Sequence, residues 1–314
     1  KVTRVGIPLA ITLQVISSFL FASGATLQHL GVKSTFDPNA TASSNRLTLM
    51  GMLKLLLIPK WLLGLLCVFS GAGLHLWALT MAPVAVVQPV GILAVPWSVI
   101  LASRIHGHRI SYQVWRAVLV TVVGVVGFTV FSSLFANGKK QFGFMPITWS
   151  FVAVCVICAT LSFFAAKKTA PWAKAVMWSS VGAIFYGLAS GMMKAAMNMV
   201  QSGEFHLLHP TTLAVIGYML ACYGLGAWMI QQGYASGPAE ITVGTMTTVD
   251  PFVAVLFGLL VLGEGAGMGI GPVAGMVISG AVAVYGVVML SKDHPEAVEE
   301  REKAAKASDM IVKE

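Results

Sequence analysis

The sequence predicts an all-α membrane protein, a polytopic bundle of nine transmembrane helices, or ten, with an inverted internal repeat. Three observations predict it. The 314 residues are 57% hydrophobic and only 10% charged, against roughly 25% charged in soluble domains. Apolar runs long enough to cover the hydrocarbon core, about 20 residues each, recur along the whole chain. The acids avoid those runs: of 12 Asp and Glu, seven lie after Ser291, leaving Asp37, Glu204, Glu240, Asp250 and Glu264 for everything before it.

Taken in order, the first span runs over residues 5–30 and is followed by a polar loop, 31–46, with turn chemistry at Asp37, Pro38 and Asn39. Asn39, Ala40 and Thr41 form a sequon that carries little weight outside a secretory context. Residues 47–59 are apolar but short and contain Lys54, so they read either as an interfacial segment with a snorkelling lysine or as a short tenth span. Spans follow at 61–81, 84–104, 113–134, 146–165, 173–200, 211–232, 237–263 and 267–290. With nine crossings and the N-terminus outside, 15 lysines and arginines fall on the inner side and 4 on the outer, the bias that sets orientation. Ten crossings with both termini inside give nearly the same bias, and both arrangements put the mixed-charge tail 291–314 in the cytoplasm. The expected location is the cytoplasmic membrane.

The net charge of +8 belongs to those flanking residues and not to a basic stripe, so no nucleic-acid partner is expected. Cys67, Cys155, Cys158 and Cys222 all sit in apolar runs as buried thiols. The C-x-x-C of Cys155 and Cys158 has no second ligand pair, and His106 with His108 has no third ligand, so no metal site and no cofactor is expected. No Walker sequence, nucleophile elbow or paired catalytic set occurs, and the chain does not read as an enzyme.

The two halves resemble each other. Pro83 and Pro96 are separated by the same thirteen residues as Pro238 and Pro251, with VPWSVI at 95–100 lying over DPFVAV at 250–255. The ASG at 22–24 recurs at 189–191, and VVGVVGFTVF at 122–131 matches AVAVYGVVML at 281–290. This divides the chain into a first transmembrane repeat, 1–134, an extra span and linker, 135–172, a second repeat, 173–290, and the tail, 291–314. Four spans, one extra span and four more make the repeat inverted, an architecture in which secondary transporters bind at the repeat interface near mid-membrane.

APVAVVQPVGILAVPWSVILASRI at 82–105 and GPAEITVGTMTTVDPFVAVLFGLLVLGE at 237–264 resemble the paired signature of the drug/metabolite transporter superfamily. KWLLGLLCVFSGAGLHLWALTMAPVAVVQPVG at 60–91, with the extra span, is more similar to the NIPA-type magnesium-transporter branch than to EamA-type exporters. The first repeat departs from the signature, having HGHR at 106–109 where a helix-end Gly-Glu is usual. The resemblance implies packed helices giving alternating access to a central cavity. The function expected from it is secondary transport of a small organic solute with proton coupling. The alternatives are a divalent-cation (magnesium) transporter and a flippase for a lipid or lipid-linked precursor. The expected partners are the lipid bilayer and a small-molecule, ion or lipid substrate, with a homodimer as an assembly open to the fold.

Asp250 is the foremost candidate, because a carboxylate inside a span is costly and normally faces a cavity or an ion path. It reads as a proton carrier or the partner of a substrate ammonium, or as a structural pair with Lys194. Lys194 reads as an anion contact, a switching partner of Asp250 or Glu240, or a snorkelling lysine. Glu240 suits substrate or proton binding, though a helix N-terminus also favours a carboxylate there. Gln88, Gln28 and His75 are polar candidates for the cavity wall, against ordinary interhelical hydrogen bonding. Pro96 and Pro251 are the candidate kinks or gates, since neither donates a backbone hydrogen bond.

Overall fold

The fold is taken from a computed structural model, which describes residues 6–36, 47–81, 87, 90–107, 109–135, 143–167, 170–203, 206, 208–263 and 268–293. Gln88, Glu264, His108, the turn and sequon at 37–41 and the tail from 294 lie outside them. Within the described residues the chain forms ten helices and no strand. They are α1 (Gly6–Lys33), α2 (Leu49–Leu55), α3 (Pro59–Met81), α4 (Ala94–His106), α5 (Tyr112–Phe135), α6 (Phe144–Lys167), α7 (Pro171–Ser202), α8 (Pro210–Ser236), α9 (Ala239–Leu260) and α10 (Ile270–Asp293). Eight of them, all except α2 and α4, are long and apolar enough to cross a membrane. The chain is a multi-pass membrane protein.

Two segments depart from expectation. The seven residues of α2 rise only about 10 Å, against a ~30 Å hydrocarbon layer, and α2 is not among the helices long and apolar enough to cross a membrane. Thr48 caps α2 through its hydroxyl, which accepts from the Gly51 N–H at 3.0 Å. Met50, Leu53 and Leu57 are exposed and Leu55 is buried, the pattern of a helix lying at an interface.

The span expected at 84–104 is broken, with a turn at Ile92 and Leu93. Pro96 cannot donate to the Ile92 carbonyl, which takes the Val95 N–H instead at 3.0 Å. Pro96 thus stands in the first turn of α4, where a missing N–H costs nothing, just after the helical residues 90–91 and the turn. Pro251, by contrast, lies inside the continuous α9.

The packing runs in matched pairs. Along α1 lies α3, and along α7 lies α8; α4 touches α1 as α9 touches α7; α5 lies along α10 and α4 against α9. A Cβ on Gly24 would stand 2.8 Å from the Gly64 carbonyl, and one on Gly64 2.8 Å from the Gly24 carbonyl. The same reciprocal crossing joins α7 and α8, at 3.0 Å from Gly182 and 3.1 Å from Gly226. Gly191, in the second ASG, lies against Phe257 of α9. In α5 and α10, Gly124 meets Ala283, Gly286 meets Thr121 and Gly127 meets Ser279, an antiparallel crossing centred on Gly124 and Ala283.

Only 11% of the apolar stretch of α6 is buried. It leans on the second half through Phe151, which stacks on Tyr218 with ring centroids 4.6 Å apart, and its remaining surface suits lipid. Hydroxyls within the spans satisfy themselves on the preceding turn, as Thr26 does on the Ala22 carbonyl, Thr121 on Ala117 and Thr248 on Gly244, which keeps polar groups from facing hydrocarbon.

Candidate functional site

At the centre of the bundle is α9, in contact with α1, α4, α5, α7, α8 and α10. It forms in spite of its acids because AEITVGTMTTV and FVAVLFGLL supply apolar length on both sides of Asp250. Glu240 is buried in its first turn. Every residue from Ala239 to Thr245 is buried, whereas Met246, Thr247, Val249, Asp250 and the residues to Val255 are partly accessible. Accessibility along α9 thus begins only after Thr245.

Asp250 is the twelfth residue of α9, about 16 Å from its start and so near mid-membrane. The Ser190 hydroxyl of α7 donates a hydrogen bond to its carboxylate. Tyr186 of α7 and Tyr223 of α8 lie close enough for the Asp250 charge to act on both phenols, and their ring centroids are 6.0 Å apart. Gly226 makes room for the Tyr186 ring, since a Cβ there would lie 2.6 Å from it. The site thus offers one carboxylate, one hydroxyl and two phenols, oxygen donors that can hold a proton or a cation.

The helix is pinned at this level from α7. A Cβ on Gly187 would stand 2.5 Å from the Asp250 carbonyl and 2.6 Å from the Val253 Cβ. Gly187→Ala is therefore expected to be destabilised by about 1–3 kcal/mol, measured as a lower unfolding midpoint in detergent. Pro251 removes the ladder bond to the Thr247 carbonyl, so the backbone beside Asp250 is held by packing more than by its own helix.

The other sequence candidates separate. Lys194 is exposed, one turn beyond Ser190 on the same stripe of α7. His75 Nδ1 donates at 2.8 Å to Gln14 Oε1, joining α3 to α1 in the half away from Asp250. Gln28 belongs to a different cluster, accepting from Gln231 Nε2 at 3.0 Å. Trp61 is buried and donates from Nε1 to Gln231 Oε1 at 3.1 Å. Ser190, Tyr186 and Tyr223 are not singled out by the sequence; the sole signal is the presence of Ser190 within the repeated ASG. Among the described residues no three His, Cys, Asp or Glu side chains gather into a metal set.

Over 261 residues the chain is 26% identical to an uncharacterised protein of Corynebacterium glutamicum, covering 82% of this chain and 85% of that one. Over 216 residues it is 26% identical to the probable magnesium transporter NIPA9 of Arabidopsis thaliana, covering 65% of this chain and 61% of the relative. The chain matches no protein-family model and no solved structure.

Proposed function

We propose that the protein is a secondary transporter of the drug/metabolite type. Its two inverted repeats, 1–134 and 173–290, give alternating access to a cavity in which Asp250 binds cargo or exchanges a proton. The observation that carries this reading is the partly accessible Asp250 in mid-span, held by Ser190 and lying beyond the fully buried start of α9. Support for the repeat comes from the paired glycine crossings of α1 with α3 and of α7 with α8, and from the antiparallel crossing of α5 with α10. The break before Pro96 adds the discontinuous helix that such transporters place beside their sites. Nine crossings follow, with α6 as the extra span, residues 82–106 as the third crossing and the C-terminal tail in the cytoplasm.

A divalent cation is the second reading for the cargo, favoured by the likeness to NIPA9. Magnesium keeps several of its waters and takes only one or two carboxylates, so one Asp with hydroxyl partners suffices for a hydrated ion passing through. The experiment is flux into proteoliposomes. Uptake of magnesium that depends on the protein, with no response to an imposed pH gradient, selects the cation. Proton-driven movement of an organic solute selects the first reading. Protein-dependent movement of neither, in vesicles shown to hold folded protein, overturns both.

A further inference from the structure

One end of the bundle is tied shut across the seam between the two halves. Leu47 N donates to Gln232 Oε1 at 3.1 Å, and Gln232 Nε2 donates back to the Leu47 carbonyl, so a side-chain amide pairs with a peptide as a neighbouring strand would. Trp61 Nε1 donates to Gln231 Oε1 at 3.1 Å, and Gln231 Nε2 donates to Gln28 Oε1 at 3.0 Å. His29 Nδ1 lies 3.0 Å from the Tyr234 carbonyl. These bonds join α1, α3 and the segment between them to the end of α8. The two glutamines, Gln28, Leu47 and Trp61 are all buried, as is all of α8 from Ile230 to Ser236.

The position and chemistry of this seam suit a part that opens. It lies at the same end as the buried floor of the cavity, since Ser179 of α7 bonds Thr242 of α9 at 3.0 Å and Gly233 of α8 abuts both. It is also the end rich in lysine, with Lys33, Lys60, Lys174 and Lys292. The bonds are neutral amide, indole and peptide pairs, which exchange with water at little net cost, and they run beside an apolar contact in which Leu47 and Leu55 are buried. The segment that provides Leu47 continues into α2, a short helix with Leu53 exposed, followed by exposed Leu57, and is not part of any long apolar span.

We infer that residues 47–58, docked on Gln231 and Gln232, are a latch that holds the lysine-rich end closed, and that the Gln232–Leu47 pair must part for the cavity to open there. The inference rests on the alternating-access reading for its purpose, but its test needs no cargo. Thr245, buried at the cavity floor, is replaced by cysteine in a chain whose four native cysteines are changed to serine, and a membrane-impermeant maleimide is applied from the lysine-rich side. Gln232→Leu is expected to raise the labelling rate about tenfold or more, the factor that losing the two hydrogen bonds to Leu47 supplies. Trp61→Phe keeps the packing, removes one bond and is expected to give a smaller rise, which decides the matter if Gln232→Leu does not fold. Unchanged labelling in the folded variants overturns the latch. Loss of the Asp250 dependence of transport with these rises intact would sink the cargo reading and leave the latch standing.

Discussion

Asp250→Asn abolishes transport and leaves the protein folded. The amide oxygen that the substitution introduces is the same size as the carboxylate oxygen it replaces and still accepts from Ser190, so the contact between α7 and α9 survives. What is lost is the charge and the exchangeable proton. Removing one partner of a buried, hydrogen-bonded charge pair costs about 2–5 kcal/mol, a factor of roughly 30 to several thousand in cargo affinity at 1.4 kcal/mol per decade. Stability should hold or rise, because a carboxylate in a span is itself a cost of at least ~2.5 kcal/mol. Flux in proteoliposomes and the unfolding midpoint in detergent check the two halves of the statement. Ser190→Ala leaves the charge and removes one charge-assisted bond, so its loss should be smaller, about 1.5–3 kcal/mol. Undiminished flux in Asp250→Asn would remove Asp250 from the mechanism.

Asp250 was legible in the sequence because an acid in an apolar run stands out by composition alone. Its neighbours were not, because Ser190, Tyr186 and Tyr223 are residue types that any span uses for packing, and only the crossing of α7, α8 and α9 brings them together. Span lengths were legible for the same compositional reason, and the uncertain segment 47–59 was ambiguous in the right place. The break at Ile92 and Leu93 escaped, since a proline thirteen residues after another looks alike in both halves, while its effect depends on whether the carbonyl four residues back finds another donor. ASG at 22–24 and at 189–191 are identical strings in different contacts, Gly24 against Gly64 and Gly191 against Phe257, because which backbone lies against which sets the crossing point of two helices. Gln28, Gln231 and Gln232 were visible as polar residues in apolar surroundings, but sequence distance hid that they meet.

The same substitution, glycine to alanine, should have opposite outcomes at two kinds of site. At Gly286 a Cβ would stand 2.5 Å from the Thr121 backbone nitrogen, and at Gly124 2.6 Å from the Ala283 Cα. Neither neighbour is the flexible end of a side chain, so the two helices must separate along their whole antiparallel contact, at about 1–3 kcal/mol or more. No hydrophobic force in lipid draws them back, because lipid tails are as apolar as the side chains, and close backbone packing is what holds such pairs. Gly124→Ala and Gly286→Ala are therefore expected to lose folded, monodisperse protein on extraction, with the double variant worse than either. At Gly217, within α8, nothing lies within 4 Å of the added methyl. There alanine gains its helix preference over glycine, about 0.8–1.0 kcal/mol in aqueous helices, and Gly217→Ala should melt at or above the parent temperature. Equal melting of Gly286→Ala and Gly217→Ala would show that α5 and α10 do not touch at Gly286. The crossing that supports the inverted repeat would fall with it, while the Asp250 site, built from α7, α8 and α9, would remain.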